Sequence, residues 1–178
     1  MFHLVELDGC EPQIDPTIFI APDVWIIGDV KLGENVNVWT GTVIRGDDDS
    51  VIIGRQTTIL EHCLIEAPAE KPVRIGEDVL VSHGAIVHGA QIGNKVLVGI
   101  GAIVLDGVRI GDGSIIGSGA LVPPRTKIPA RKLVIGIPAR LIRDVETAEL
   151  DLLKQEHDRT LVKAEKYRSI YQNYNAST

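Results

Sequence analysis

Arg45, Glu66 and His88 share one place in a repeating pattern, and their side chains are of the kinds that build ion pairs and metal sites. Each directly follows an aliphatic residue: Ile44, Ile65 or Val87. The step from 45 to 66 is 21 residues and that from 66 to 88 is 22, one period of eighteen plus insertions of three and four. Residues so spaced stack on one face of successive coils, about 4.8 Å apart. His83 occupies a different place, two residues after Val81, and is expected to point away from His88 within one chain. Supplied by a second subunit, it would complete a three-donor cluster with two stacked side chains, leaving a fourth position open to water. From the segment Ser82–Gly89 alone, two histidines beside a subunit contact read first as ordinary polar contacts, since His more often is not a metal ligand.

The elements that must position these residues follow from a strict period of six. Ile92, Val98, Val104, Ile110, Ile116, Val122, Ile128 and Val134 are aliphatic without a miss. The fifth place of the unit is small or β-branched at Val96, Ala102, Val108, Ser114, Ala120 and Thr126, giving two inward positions per hexapeptide. The same period runs upstream through Leu32, Val38 and Ile44, then Ile53, Ile59 and Ile65, then Ile75, Val81 and Val87. Steps of nine, ten and five separate these runs, so three corners carry insertions or a deletion, which loops absorb. Glycine follows the aliphatic residue at Gly28, Gly33, Gly54, Gly76, Gly93, Gly99, Gly111 and Gly117, where a turn needs positive φ or a backbone without Cβ. A period of six in Val-, Ile- and Gly-rich segments excludes a helix and predicts an all-β solenoid, a parallel β-helix of short strands and corners.

Past Ile135-Gly136-Ile137-Pro138 the period stops. Leu150, Leu153, Leu161, Ala164, Tyr167, Tyr171 and Tyr174 recur at helical intervals, interrupted at His157. The expected division is a β-helix over residues 10–142 and a C-terminal α-helix over 144–174 that packs on or caps it, with Thr147 as N-cap, Glu149 in the first turn and residues 175–178 frayed. Cys10 and Cys63 form no CxxC pair, so both are expected to be plain thiols, Cys63 in the core. A formal net charge of −6 argues against a nucleic-acid surface. With no long apolar run and no basic-then-apolar leader, the chain is expected to avoid membranes and to be cytoplasmic.

Three segments carry a family resemblance: Asn37-Val38-Trp39-Thr40-Gly41-Thr42-Val43-Ile44-Arg45-Gly46-Asp47, Ser82-His83-Gly84-Ala85-Ile86-Val87-His88-Gly89 and Gly99-Ile100-Gly101-Ala102-Ile103-Val104-Leu105-Asp106-Gly107. They resemble the γ-class carbonic anhydrase-like proteins of the hexapeptide-repeat family, which include ferripyochelin-binding-like, phenylacetate-operon and carnitine-operon relatives. The similarity covers residues 10–142 and extends loosely to Tyr167, Ile170 and Tyr174. It implies a left-handed winding, against the general preference for right-handed crossovers. It also implies a homotrimer that binds zinc, iron or cobalt at each interface through three histidines, two from one subunit and one from its neighbour.

His83 and His88 match two of those histidines. The third belongs to the stretch Thr57-Thr58-Ile59-Leu60-Glu61-His62-Cys63-Leu64-Ile65-Glu66. There Glu66 replaces the ligand histidine, Leu60 a glutamine that positions metal-bound hydroxide, and Glu61 an aspartate. Arg45 and Asp47 match a pair linked to subunit contacts. The short turn Ala67–Pro72 offers Glu70 where some members carry a long acidic proton-shuttling loop.

The implied function is a metal-dependent lyase acting on CO2 and bicarbonate. Two histidines and one glutamate form a known zinc set, but the added negative charge makes a bound water less acidic and slows hydration at neutral pH. The alternatives are an acyl-CoA thioesterase or hexapeptide acyltransferase, and a non-catalytic trimeric binding or structural protein.

Overall fold

The computed structural model describes residues 1–176, with side chains through Tyr171. It is a left-handed parallel β-solenoid of about 7 turns followed by one α-helix. Three walls enclose the core. The first stacks Phe19–Ile20, Asn37–Val38, Thr58–Ile59, Leu80–Val81, Leu97–Val98, Ile115–Ile116 and Lys132–Gly136. The second carries Leu64–Glu66, Ile86–His88, Ile103–Val104 and Leu121–Val122; the third carries Val73–Ile75, Gln91–Ile92, Arg109–Ile110 and Lys127–Ile128. Two long strands, Trp25–Leu32 and Val43–Ile53, run through a corner and join the second wall to the third. The nine-residue step lies in that corner, where the register between the long strands slips.

The aliphatic ladder lies inside as its period requires, and every member from Ile92 to Val134 is buried. Glycine serves the corners mainly by what it lacks. Of Gly28, Gly33, Gly54, Gly76, Gly93, Gly99, Gly111 and Gly117, Gly28 alone has positive φ. A Cβ on Gly54 would lie 2.7 Å from the carbonyl of Gly76 in the next coil. The left-handed residue comes two places later, at Asn35, Gln56, Asp78 and Lys95. Close backbone stacking, rather than turn geometry, therefore fixes glycine at these positions.

The helix Thr147–Ala176 is about 45 Å long and lies against the first wall. Glu146, not the expected Thr147, is its N-cap: the Glu149 carboxylate accepts the Glu146 N–H at 2.9 Å, half of a capping box. Thr147 Oγ1 instead accepts from Arg131 at 3.3 Å. Glu149 also accepts two bonds from Arg143, and that guanidinium holds its carboxyl down to about 2. His157 does not interrupt the stripe but belongs to it, buried with Nε2 3.2 Å from Thr58 Oγ1. Further along, Tyr167 packs edge-on against Trp39, and Tyr171 stacks on Phe19. Trp39 thus covers a wall beneath the helix. The backbone continues helical through Asn175 and Ala176, where fraying was expected; residues 177 and 178 lie outside the described residues, as does the side chain of Tyr174. At the last coil, Ala139–Asp144 pairs antiparallel with Lys132–Gly136 and closes that sheet edge. Among the described residues no helix is long and apolar enough to cross a membrane.

Val104 is fully buried with a coil on either side, so Val104→Asp should abolish soluble protein through an uncompensated buried charge, whereas Lys163→Ala should leave yield unchanged. The check is soluble yield and the thermal midpoint. Burial lowers the pKa of His157, so the neutral ring is the form that fits against Thr58. Its contribution should be complete above the ordinary imidazole pKa and lost as pH falls through the lowered folded value. Thermal midpoints between pH 8 and 5 should accordingly fall more steeply for the native chain than for His157→Gln.

Candidate functional site

The second wall sets the stacked column in place. Arg45 pairs with Glu66 and Glu66 with His88 in the strand register, and all three project outward beside buried Ile44, Ile65 and Val87. Arg45 Nη2 donates to Glu66 Oε1, and Arg45 Nε lies 3.2 Å from Asp47 Oδ2. The guanidinium therefore bridges two carboxylates, and the bond to Glu66 is the main reason its pKa is raised. His88 Nε2 stands 3.8 Å from the same Glu66 oxygen. Its other ring nitrogen, Nδ1, is held by Asp106 Oδ1. Lys71, from the turn that holds Glu70, approaches the second Asp106 oxygen at 2.9 Å. Asp106 is an ionised carboxylate, its pKa lowered first by Lys71 and then by the bond to His88, against the effect of burial.

His83 sits at the corner after Leu80–Val81, half-exposed, with Nδ1 2.7 Å from Glu61 Oε2. This is a close charge contact rather than an aligned hydrogen bond. The two histidines share a carboxylate neighbour but not its bonding: His88 Nδ1 is hydrogen-bonded to Asp106, while His83 Nδ1 is in charge contact with Glu61. Each has Nδ1 against a carboxylate from the adjacent coil, which leaves Nε2 facing outward. A carboxylate at one imidazole nitrogen fixes the tautomer and makes the other a better donor, the arrangement found behind metal-ligating histidines. Among the described residues of one chain, no three His, Cys, Asp or Glu side chains converge as a metal-holding group. A three-donor cluster therefore needs a second chain, as the positions of His83 and His88 predict.

The remaining positions are plain. Leu60 is buried and offers no polar atom. Glu70 is exposed at the turn tip. His62 is exposed at a corner with φ 61°, away from the column. Cys63 is in the core, its thiol pushed up to about 12 by burial, and Cys10 is exposed; both are free.

Spacing alone passed over Asp106 and Lys71. Hexapeptide counting sets Leu105, not Asp106, level with His88, because Val87 pairs with Val104. Asp106 reaches His88 from the corner one residue further on.

A second feature of the wall is an apolar column beside the charged one. Trp25, Val43, Leu64, Ile86, Ile103 and Leu121 are cross-strand neighbours in order, each facing outward and at least partly exposed. The equivalent column on the third wall reads Lys31, Ile52, Arg74, Gln91, Arg109 and Lys127.

Comparison with known proteins agrees with this architecture. The family model described as Bacterial transferase hexapeptide (six repeats) matches residues 89–124. A structure titled as a putative acetyltransferase from Bacillus cereus superposes with a TM-score of 0.93 at 34% identity, covering 95% of this chain and 98% of that one. The fold and repeat define a hexapeptide-repeat solenoid. Within that class, a probable carbonic anhydrase of Methanocaldococcus jannaschii is 40% identical over 143 residues, covering 80% of this chain and 90% of its own length. Gamma carbonic anhydrase 2, mitochondrial, of Arabidopsis thaliana is 33% identical over 150 residues, 81% of this chain; the chain spans only 54% of that protein's length. The chain belongs to the γ-class carbonic anhydrase-like proteins of the hexapeptide-repeat family.

The bond to Asp106 predicts that neutral His88 carries its proton on Nδ1. Nitrogen-15 spectra of the imidazoles should show that tautomer for His88, and Asp106→Ala should return it to a mixture. An Nε2-protonated His88 would remove the outward lone pair.

Proposed function

We propose that the chain is a homotrimer with a divalent metal at each interface, held by Glu66 and His88 of one subunit and the partner subunit's His83, and that it acts slowly on CO2 and bicarbonate. The observation that carries this is the carboxylate neighbour that the two histidines share. Both present a free Nε2 backed by a carboxylate, and one of them faces the Glu66 oxygen at 3.8 Å. Two imidazoles and a carboxylate suit zinc or a similar borderline-soft ion.

The uncovered apolar column supports the assembly, because a continuous outward stripe from Trp25 to Leu121 is what a subunit contact buries. Zinc or a similar ion at that contact supplies Lewis acidity and a bound water of lowered pKa. The protein's residues have separate tasks. Asp106 holds the His88 imidazole in one tautomer, and Glu66 adds negative charge, which makes a bound water less acidic than three neutral imidazoles would. Leu60 leaves the reacting region without a side-chain donor to orient a nucleophile.

Acyl transfer is the second reading, favoured by the similarity to the putative acetyltransferase. Against it, the corner between Glu66 and Val73 holds only a short turn, and among the described residues no long loop projects to cover a coenzyme arm. A non-catalytic trimer is the third, favoured by the substitutions at Glu66 and Leu60.

Light scattering should give about three times 19.3 kDa. Glu66→His should raise zinc per subunit and speed CO2 hydration, and Glu66→His with Leu60→Gln should exceed the single variant by about tenfold or more, the range of one positioned polar group at the reacting atoms. His88→Ala should lose the metal. Equal rates in the native chain and the double variant would show that Glu66 and Leu60 do not limit the reaction. Zinc content indifferent to His88 would sink the site.

A further inference from the structure

Glu66 is the donor that distinguishes this chain from its family, and its Oε1 is already engaged. Arg45 Nη2 donates to that oxygen, and the same oxygen faces His88 Nε2 at 3.8 Å. On the same edge of the guanidinium, Nε lies 3.2 Å from Asp47 Oδ2 in a charge contact. The group is therefore held against Glu66 by a second carboxylate rather than left free to swing away.

We infer that Arg45 is a built-in competitor for the metal position: its guanidinium neutralises the Glu66 carboxylate and weakens the hold of the site on divalent cations. This rests on the metal site proposed above.

Two effects of a hydrogen bond to a ligating carboxylate oppose each other, and charge decides between them. A neutral donor behind a ligand orients it and strengthens the site. A full cation bonded to the oxygen that faces the ion cancels the ligand's charge and occupies its lone pair, so an incoming dication must first break that ion pair. That cost exists only where residue 66 is a carboxylate, and it outweighs the orienting benefit of the bond. With a histidine at position 66 no carboxylate faces Arg45 there, and this particular restraint vanishes. Arg45 is thus a positioning residue whose effect depends on Glu66. The substitution at 66 and the arginine one coil away act as a unit that sets metal affinity low.

The test is a double-mutant cycle on the full-length trimer, stripped of metal with a chelator and titrated with Co²⁺ alone and with Zn²⁺ alone against a chromophoric competitor. The visible Co²⁺ spectrum reports the donor set, and light scattering checks assembly. Arg45→Gln keeps a neutral donor while removing the charge, and should tighten binding by about tenfold or more, the range of one charge-assisted hydrogen bond. In the Glu66→His background the same change should alter affinity by less than about threefold. Arg45→Met, of similar length, serves if the glutamine variant does not assemble, and Arg45→Lys, which keeps the charge, should bind no more tightly than Arg45→Gln. Unchanged or weaker binding on neutralising Arg45, or an equal gain in both backgrounds, overturns the competitor role; binding that still requires His88 would then leave the metal site standing. If no variant binds Co²⁺ in a His88-dependent way, the site reading fails and the competitor role with it.

Discussion

Everything in this structure depends on one coil lying directly on the next. Strands of successive turns hydrogen-bond in parallel register along all three walls, so each residue has a counterpart about 4.8 Å above and below it. Inside, that repetition gives an unbroken ladder of Val and Ile. At the corners it brings backbone against backbone so closely that Gly54 and Gly99 leave no room for a Cβ. Outside, it turns a sequence spacing of one coil into a physical contact. Chemistry on such a scaffold is built by columns rather than by a pocket.

The second wall shows what columns can do. One is apolar from Trp25 to Leu121 and uncovered in the single chain; beside it runs the sequence Arg45, Glu66, His88. The first wall carries the helix and the third is largely polar outside, so the second wall alone presents a continuous apolar column. Charges there are paired across coils: Arg45 between Glu66 and Asp47, and Asp106 between His88 and Lys71. The two imidazoles are the groups in this set with an outward nitrogen to offer.

Glu66 changes the character of the column more than any other residue. A neutral imidazole there would leave Arg45 paired to Asp47 alone. The carboxylate places an ion pair with Arg45 in the middle of the column, on the oxygen that also faces His88. Leu60, on the coil below that of His88, is buried and apolar.

The sequence by itself determined the solenoid, the inward residues, the corners that carry insertions and the stacking of Arg45, Glu66 and His88, because a strict period converts position number into place. It also determined that the tail is a helix, though not that His157 belongs to the buried stripe or that Glu146 is the cap; those depend on Thr58 and Arg143, which lie on other elements. The winding sense came through resemblance, since a period of six is silent on handedness. Only the tertiary structure decided which partner each ring nitrogen takes. Leu105 stays level with His88, and Asp106 reaches His88 Nδ1 from the corner that follows, a placement that counting by hexapeptides does not give. Periodicity specifies the backbone register, but side chains reaching from corners are placed by the contacts they make with neighbouring coils.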